Sequence, residues 1–170
     1  VQAAPLPDFS RFGPVEKQPM NKIFRTAASN LHAAWVTIPH VTQQDEADIT
    51  ALEARRKELK AGAGQEDTKL TPLAFFIRAV VQALQEFPVF NTSMGPDNKS
   101  LIWKKYMHIG FAADTPNGLV VPVIRDADRK GIETLALELN EIAEKTRERK
   151  IGPDVMEGGT FTISNLGGVG

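Results

Sequence analysis

The stretch from Thr71 to Glu86 limits what this chain can fold into more than any other. Thr71-Pro72 is a helix start, with threonine at the N-cap and proline at the first helical position, where a missing N–H does no harm. Leu73, Phe76, Ile77, Val80 and Leu84 then share one face, and Val81 widens the stripe. A helix this apolar has to be deeply buried, so the rest of the chain must supply the surfaces that cover it. Pro88 closes it.

Those surfaces read as strands and helices in irregular alternation. Residues 107–113 and 119–124 are apolar runs joined by Asp114-Thr115-Pro116-Asn117-Gly118, a hairpin by its turn residues. Gly95-Pro96-Asp97-Asn98 is a polar turn ahead of a strand over 101–103. A helix over 132–147 carries Leu135, Leu139 and Ile142 inward. Phe161 and Ile163 alternate with Thr162 and Ser164, a half-buried strand that delivers a serine to the glycine-rich corner Leu166-Gly167-Gly168-Val169-Gly170.

The first third of the chain is read in the same way. Residues 1–19 form an irregular arm, with Phe9 and Phe12 as anchors against another surface. A helix over 21–35 sets Ile23, Phe24, Ala27, Leu31 and Ala34 at helical spacing, and Pro39 ends it. Residues 40–49 read as a strand. Thr50 with Glu53 is a capping box for a helix that runs through Lys60 to the stop Ala61-Gly62-Ala63-Gly64. No repeat is evident, and the mixture predicts a layered α/β domain rather than a doubly wound one.

Composition excludes several chemistries. The 170 residues contain no cysteine, which removes thiol nucleophiles, disulfides and zinc–thiolate sites. The net charge of -1 and pI near 6.4 give no electrostatic footprint for nucleic acid. The basic runs, Arg55-Arg56-Lys57 and 145–150, are interspersed with acidic residues and read as solvated helix faces. His32, His40 and His108 form no close helical pair with a carboxylate, so no metal centre is expected. No apolar run approaches the roughly 18 residues of a membrane span. The start, Val1-Gln2-Ala3-Ala4-Pro5-Leu6-Pro7, resembles the end of an Ala/Pro linker, and the expectation is a domain trimmed at both ends from a longer polypeptide.

The terminal glycines do not make a phosphate loop, because no Gly-Lys-Ser/Thr triplet enters a helix. A dinucleotide fingerprint fails too, since it needs its glycines between a first strand and its helix. Ser164 has no Gly-x-Ser-x-Gly elbow. Its remaining chemical role is to donate a hydrogen bond to a developing oxyanion, against the plainer reading of a serine that ends a strand. Taken singly, Asp114 reads as a turn residue, Thr71 as a helix cap and Arg56 as a surface cation.

Three ordered motifs carry a resemblance that weighs against those plain readings. They are Asn30-Leu31-His32-Ala33-Ala34-Trp35 with Ile38-Pro39-His40-Val41-Thr42-Gln43 and Ala47-Asp48-Ile49-Thr50; His108-Ile109-Gly110-Phe111-Ala112-Ala113-Asp114-Thr115-Pro116-Asn117-Gly118-Leu119-Val120-Val121-Pro122-Val123; and Gly158-Gly159-Thr160-Phe161-Thr162-Ile163-Ser164-Asn165-Leu166-Gly167. Nearly the whole chain after the arm resembles the catalytic domain of the dihydrolipoamide acyltransferases, the E2 components of the 2-oxo acid dehydrogenase complexes. The first motif is most similar to the bacterial pyruvate-complex branch, which moves acetyl groups; succinyl and branched-chain branches are the alternatives.

The resemblance implies a chloramphenicol-acetyltransferase-like two-layer α/β sandwich, a mixed sheet with flanking helices, that trimerises and builds a cubic or dodecahedral core. It implies coenzyme A as acyl acceptor and a lipoyl group on another domain as donor, with lipoyl domain, E1 and E3 components as partners. By position, Ser164 is the oxyanion donor, and Arg56, Thr71, Asp114, Ser164 and Asn165 are coenzyme A contacts. Neither nucleic acid nor membrane is implied, and the compartment is bacterial cytoplasm, with the mitochondrial matrix as alternative.

The family's general base is a histidine in a His-x-x-x-Asp-Gly motif beyond the serine strand. None of the three histidines here has Asp four positions on, so the base is absent from this sequence. The expectation is therefore an arm at 1–19 and a catalytic domain at 20–170 that lacks its C-terminal part and is inactive alone. A purely structural core-assembly fragment is the rival from another class. A free-standing antibiotic acetyltransferase of the same fold is disfavoured by the linker-like start.

Overall fold

The computed structural model describes residues 5–62, 69–115, 118–148 and 150–165. The glycine-rich corner after Asn165, the first four linker residues, Ala63 and Gly64 of the helix stop, Arg149 of the basic run, and Pro116 and Asn117 of the hairpin turn lie outside these. The chain divides into two units, Val1–Thr42 and Gln43–Gly170.

The first unit holds a 3-10 turn at Phe9–Arg11 and one long helix, α1 (Lys22–Thr37). Asn21 caps α1 by accepting the Phe24 N–H on its side-chain oxygen at 2.8 Å. The helix runs two residues past Trp35 and stops ahead of Pro39, its last turn closed by the Ile38 N–H on the Ala34 carbonyl. The expected apolar stripe forms, but none of the helix is buried, and Phe24, Leu31 and Trp35 stand exposed. Phe9 and Phe12 are exposed as well. The described unit is one helix and an arm, with no second layer of its own to cover that stripe.

Residues 40–49 do not form the expected strand. Val41 and Ile49 are exposed, and no other described strand pairs with the segment. Alternation can favour an extended chain, but a strand also needs a neighbour for its N–H and C=O groups. The capping box is replaced too. Asp48 accepts the Thr50 N–H at 2.8 Å at the start of α2 (Thr50–Gly62), while Glu53 turns to Arg56.

The second unit is a two-layer α/β arrangement. Strands β1 (Thr92–Met94) and β2 (Leu101–Trp103) form an antiparallel hairpin closed by the predicted turn. Strands β3 (Ile109–Phe111), β4 (Val123–Ile124) and β5 (Phe161–Ile163) form a mixed sheet in the order β4-β3-β5. β4 runs antiparallel to β3, as the hairpin reading requires, and β5 runs parallel to it. Helices α3 (Pro72–Glu86) and α4 (Ile132–Arg147) pack together against these strands.

The buried face of α3 is Ala74, Ile77, Val81 and Leu84, turned somewhat from the predicted centre, with Leu73, Phe76 and Val80 half-buried. Ala74 and Ala136 are both wholly buried in the core shared by α3 and α4, and such small residues leave room for Ile77 and Leu135 beside them. Each large side chain so buried contributes about 1.5–3 kcal/mol.

Gly110, in the middle of the central strand, has no room for a side chain. A Cβ there would lie 2.9 Å from Val121 Cγ1 and 3.0 Å from Thr162 Oγ1. This glycine lets β3 sit between its two neighbours.

Candidate active site

Because β3 and β5 are parallel, their C-terminal ends emerge at the same edge of the sheet. The register pairs Ile109 with Phe161, Gly110 with Thr162 and Phe111 with Ile163, and the Ala112 N–H donates to the Ile163 carbonyl at 3.1 Å. Continued by one step, that register would set Ser164 level with Ala112, and by a second step Asn165 level with Ala113. Ala113 in turn bridges Val120 of the hairpin by reciprocal hydrogen bonds of 2.9 and 3.0 Å. The turn is tied by the Thr115 hydroxyl, which donates to the Gly118 carbonyl at 2.6 Å. Ser164 and Asn165 directly follow β5, Asp114 lies three residues beyond β3, and all three are exposed. A serine hydroxyl placed just past a strand end is suited to donating into a developing negative charge.

Arg56 and Thr71 are the other two candidates. Arg56 makes a two-pronged bond to Glu53, Nε to Oε1 at 2.9 Å and Nη2 to Oε2 at 2.8 Å, while Nη1 donates to the Leu70 carbonyl at 2.9 Å. The guanidinium's hydrogen bonds hold the Glu53 carboxyl below its ordinary value. Arg56 thus fastens α2 to the entry of α3 and keeps further N–H groups on its terminal nitrogens for an anion. Thr71 occupies the N-cap position, but its hydroxyl makes no capping bond and the residue is exposed. The cap holds in backbone shape alone. Leu70, next to Thr71, is buried in the same core as Phe111 of β3.

Two residues to which the sequence assigned no structural role tie down the connections around β3. Asn91 is 2% exposed, and its side-chain amide donates to the carbonyls of Lys104 and Tyr106 at 3.0 and 2.9 Å, holding the chain between β2 and β3. His108, just before β3, accepts the Asp126 N–H on Nδ1 at 2.9 Å, and its carbonyl accepts the Thr160 N–H at 2.7 Å. In the sequence His108 stands at the head of the second motif and of an apolar run, and neither position announces its bond to Asp126. Among the described residues, no three His, Asp or Glu side chains come together to hold a metal ion, and no helix is long and apolar enough to cross a membrane.

The family described as 2-oxoacid dehydrogenases acyltransferase (catalytic domain) matches residues 12–170. The chain belongs to that acyltransferase family. It is 54% identical over 163 residues to the dihydrolipoyllysine-residue acetyltransferase component of the pyruvate dehydrogenase complex of Cupriavidus necator, covering 96% of this chain and 29% of that protein. The corresponding protein of Pseudomonas aeruginosa is 50% identical over 168 residues, covering 98% of this chain and 31% of that protein.

Among solved structures, the chain matches one that addresses the roles of a serine, a histidine and an asparagine in the catalytic mechanism of Azotobacter vinelandii dihydrolipoamide acetyltransferase. There the TM-score is 0.94 at 48% identity, covering 100% of this chain and 70% of that one. The cubic core of the pyruvate dehydrogenase multienzyme complex matches with the same values. This acyltransferase chain spans about 30% of the length of those curated relatives. The mixed sheet with flanking helices is the chloramphenicol-acetyltransferase-like fold expected of the family.

Proposed function

We propose that this chain is the acyltransferase segment of a bacterial pyruvate dehydrogenase complex, moving an acetyl group from a dihydrolipoyl thioester to coenzyme A. The observation that carries this reading is identity of 54% over 96% of the chain with a relative named as that acetyltransferase. The fold agrees, at a TM-score of 0.94 with a dihydrolipoamide acetyltransferase.

Ser164 is the oxyanion donor in this reading. Its exposure just past the end of β5 supports that role, since an acyl carbonyl has to reach the hydroxyl. The coenzyme A thiol attacks the acyl carbon, the carbonyl oxygen gains charge, and the serine O–H stabilises that charge. Asp114 and Asn165 contact coenzyme A at the same strand end. Arg56 offers its remaining N–H groups to the nucleotide phosphates, and the Thr71 hydroxyl adds a polar contact beside it. The thiol proton goes to a histidine of a His-x-x-x-Asp-Gly motif; these 170 residues hold none, so transfer needs a protein that supplies it.

The lipoyl group arrives on another domain, and residues 20–170 act as the catalytic domain behind an arm at 1–19. Self-association into trimers and a cubic core is proposed with it, as are E1 and E3 partners and a cytoplasmic location. The cubic core matched at 48% identity supports the assembly. A succinyl or branched-chain role has no support from the named relatives, whose component names specify acetyl. A pure assembly role is favoured only by the missing histidine motif.

The test is Ser164→Ala in the full-length protein, assayed from acetyl-dihydrolipoamide to coenzyme A. A fall in kcat of about 10²–10³-fold is expected, with KM for coenzyme A little changed. A variant with normal kcat removes Ser164 from the chemistry.

A further inference from the structure

We propose that His108 is a positioning residue that seats the strand carrying Ser164, an inference that rests on Ser164 being the oxyanion donor. The side chain of His108 is only 12% exposed, with the Tyr106 ring against it at 4.6 Å between centroids. Nδ1 accepts the Asp126 N–H at 2.9 Å, so the ring proton of the neutral imidazole belongs on Nε2. The Asp126 carboxylate lies 3.9 Å from the same nitrogen, beyond hydrogen-bond range. Asp126 has φ 47, in the left-handed region that few non-glycine residues adopt, and the bond to His108 fixes its N–H in that turn.

From this turn the connection runs to β5. Arg125, adjacent to Asp126, donates to the carbonyls of Asp154 and Glu157 at 2.9 and 3.4 Å, the residues that lead into the strand. Gly158 follows at φ 83, and a Cβ there would stand 3.7 Å from His108 Cδ2 and 3.8 Å from Arg125 Nη1. Ring and guanidinium both border the entry turn. The His108 carbonyl then takes the Thr160 N–H at 2.7 Å and the Thr160 hydroxyl at 3.3 Å, where β5 begins to pair with β3. β5 is three residues long and has no described strand on its outer side. The placement of Ser164 at its far end therefore depends on how its start is seated.

A leucine at position 108 keeps apolar volume but leaves the Asp126 N–H without its acceptor. An asparagine keeps an acceptor where Nδ1 stands. In the full-length protein, His108→Leu is expected to speed amide exchange at Asp126 and also at Thr160 by roughly tenfold. It should lower kcat by roughly 10- to 100-fold with KM for coenzyme A unchanged. His108→Asn should restore both.

Faster exchange confined to Asp126, or a His108→Leu enzyme of normal kcat beside a slowed Ser164→Ala, overturns the inference alone. A Ser164→Ala enzyme of normal kcat overturns the oxyanion reading and this one with it. Should the leucine variant fail to fold, the 15N shifts of the wild-type imidazole decide. An unprotonated Nδ1 is expected, and a protonated Nδ1 with a bare Nε2 defeats the proposal.

Discussion

Asn91 shows how one buried amide can hold a strand connection. Its donors serve two main-chain carbonyls, and the Lys104 N–H returns to the Asn91 carbonyl at 3.3 Å. Truncation leaves those carbonyls short of a donor in a dry site. Asn91→Ala should therefore destabilise the protein by about 1–3 kcal/mol. In urea titration the midpoint should fall with the slope unchanged; an unmoved midpoint would refute the role. Neither Asn91 nor His108 was legible beforehand, because a polar residue beside an apolar run reads as a loop until its partners, 13 to 18 positions away, are known. Ser164 and Asp114 were singled out by ordered motifs, and Thr71 by the proline after it, rather than by periodicity.

At the scale of elements, the joint between α2 and α3 depends on Arg56, which reaches Glu53 on its own helix and the carbonyl of Leu70 ahead of the next. The hydrogen bonds from Arg56 keep Glu53 ionised to lower pH than its ordinary value of 4.5. A depressed carboxyl pKa stabilises the fold above the unfolded value, and that contribution fades as pH falls through the folded one. Thermal melts of wild type and Glu53→Gln should thus differ near neutral pH and converge in acid, with wild type the more stable where they differ. A gap that is constant with pH would exclude this coupling.

The elements that could be read ahead were those whose signals are local: the proline-started α3, the α4 stripe, and the hairpin of β3 and β4. The parallel pairing of β5 with β3 joins segments about 50 positions apart, and no local pattern announces it. The segment 40–49 misled for a related reason. Its residues suit an extended chain, and only a partner would have made it a strand.

The whole molecule carries more apolar surface than its own layers cover. Phe24, Leu31 and Trp35 on α1 are exposed, and so are Met94 and Ile102 on the β1–β2 hairpin. The chemistry proposed for Ser164, Asn165 and Asp114, which follow the ends of β5 and β3, is acyl transfer to coenzyme A.

The most direct measurement is a competition assay with the full-length protein, offering acetyl-, succinyl- and branched-chain acyl-dihydrolipoamide with coenzyme A. The account predicts acyl-coenzyme A formation with kcat/KM highest for acetyl, by about tenfold or more over either rival, the scale set by a few methylenes or a charge in an acyl pocket. No acyl-coenzyme A, or a preference for either rival donor, would contradict it.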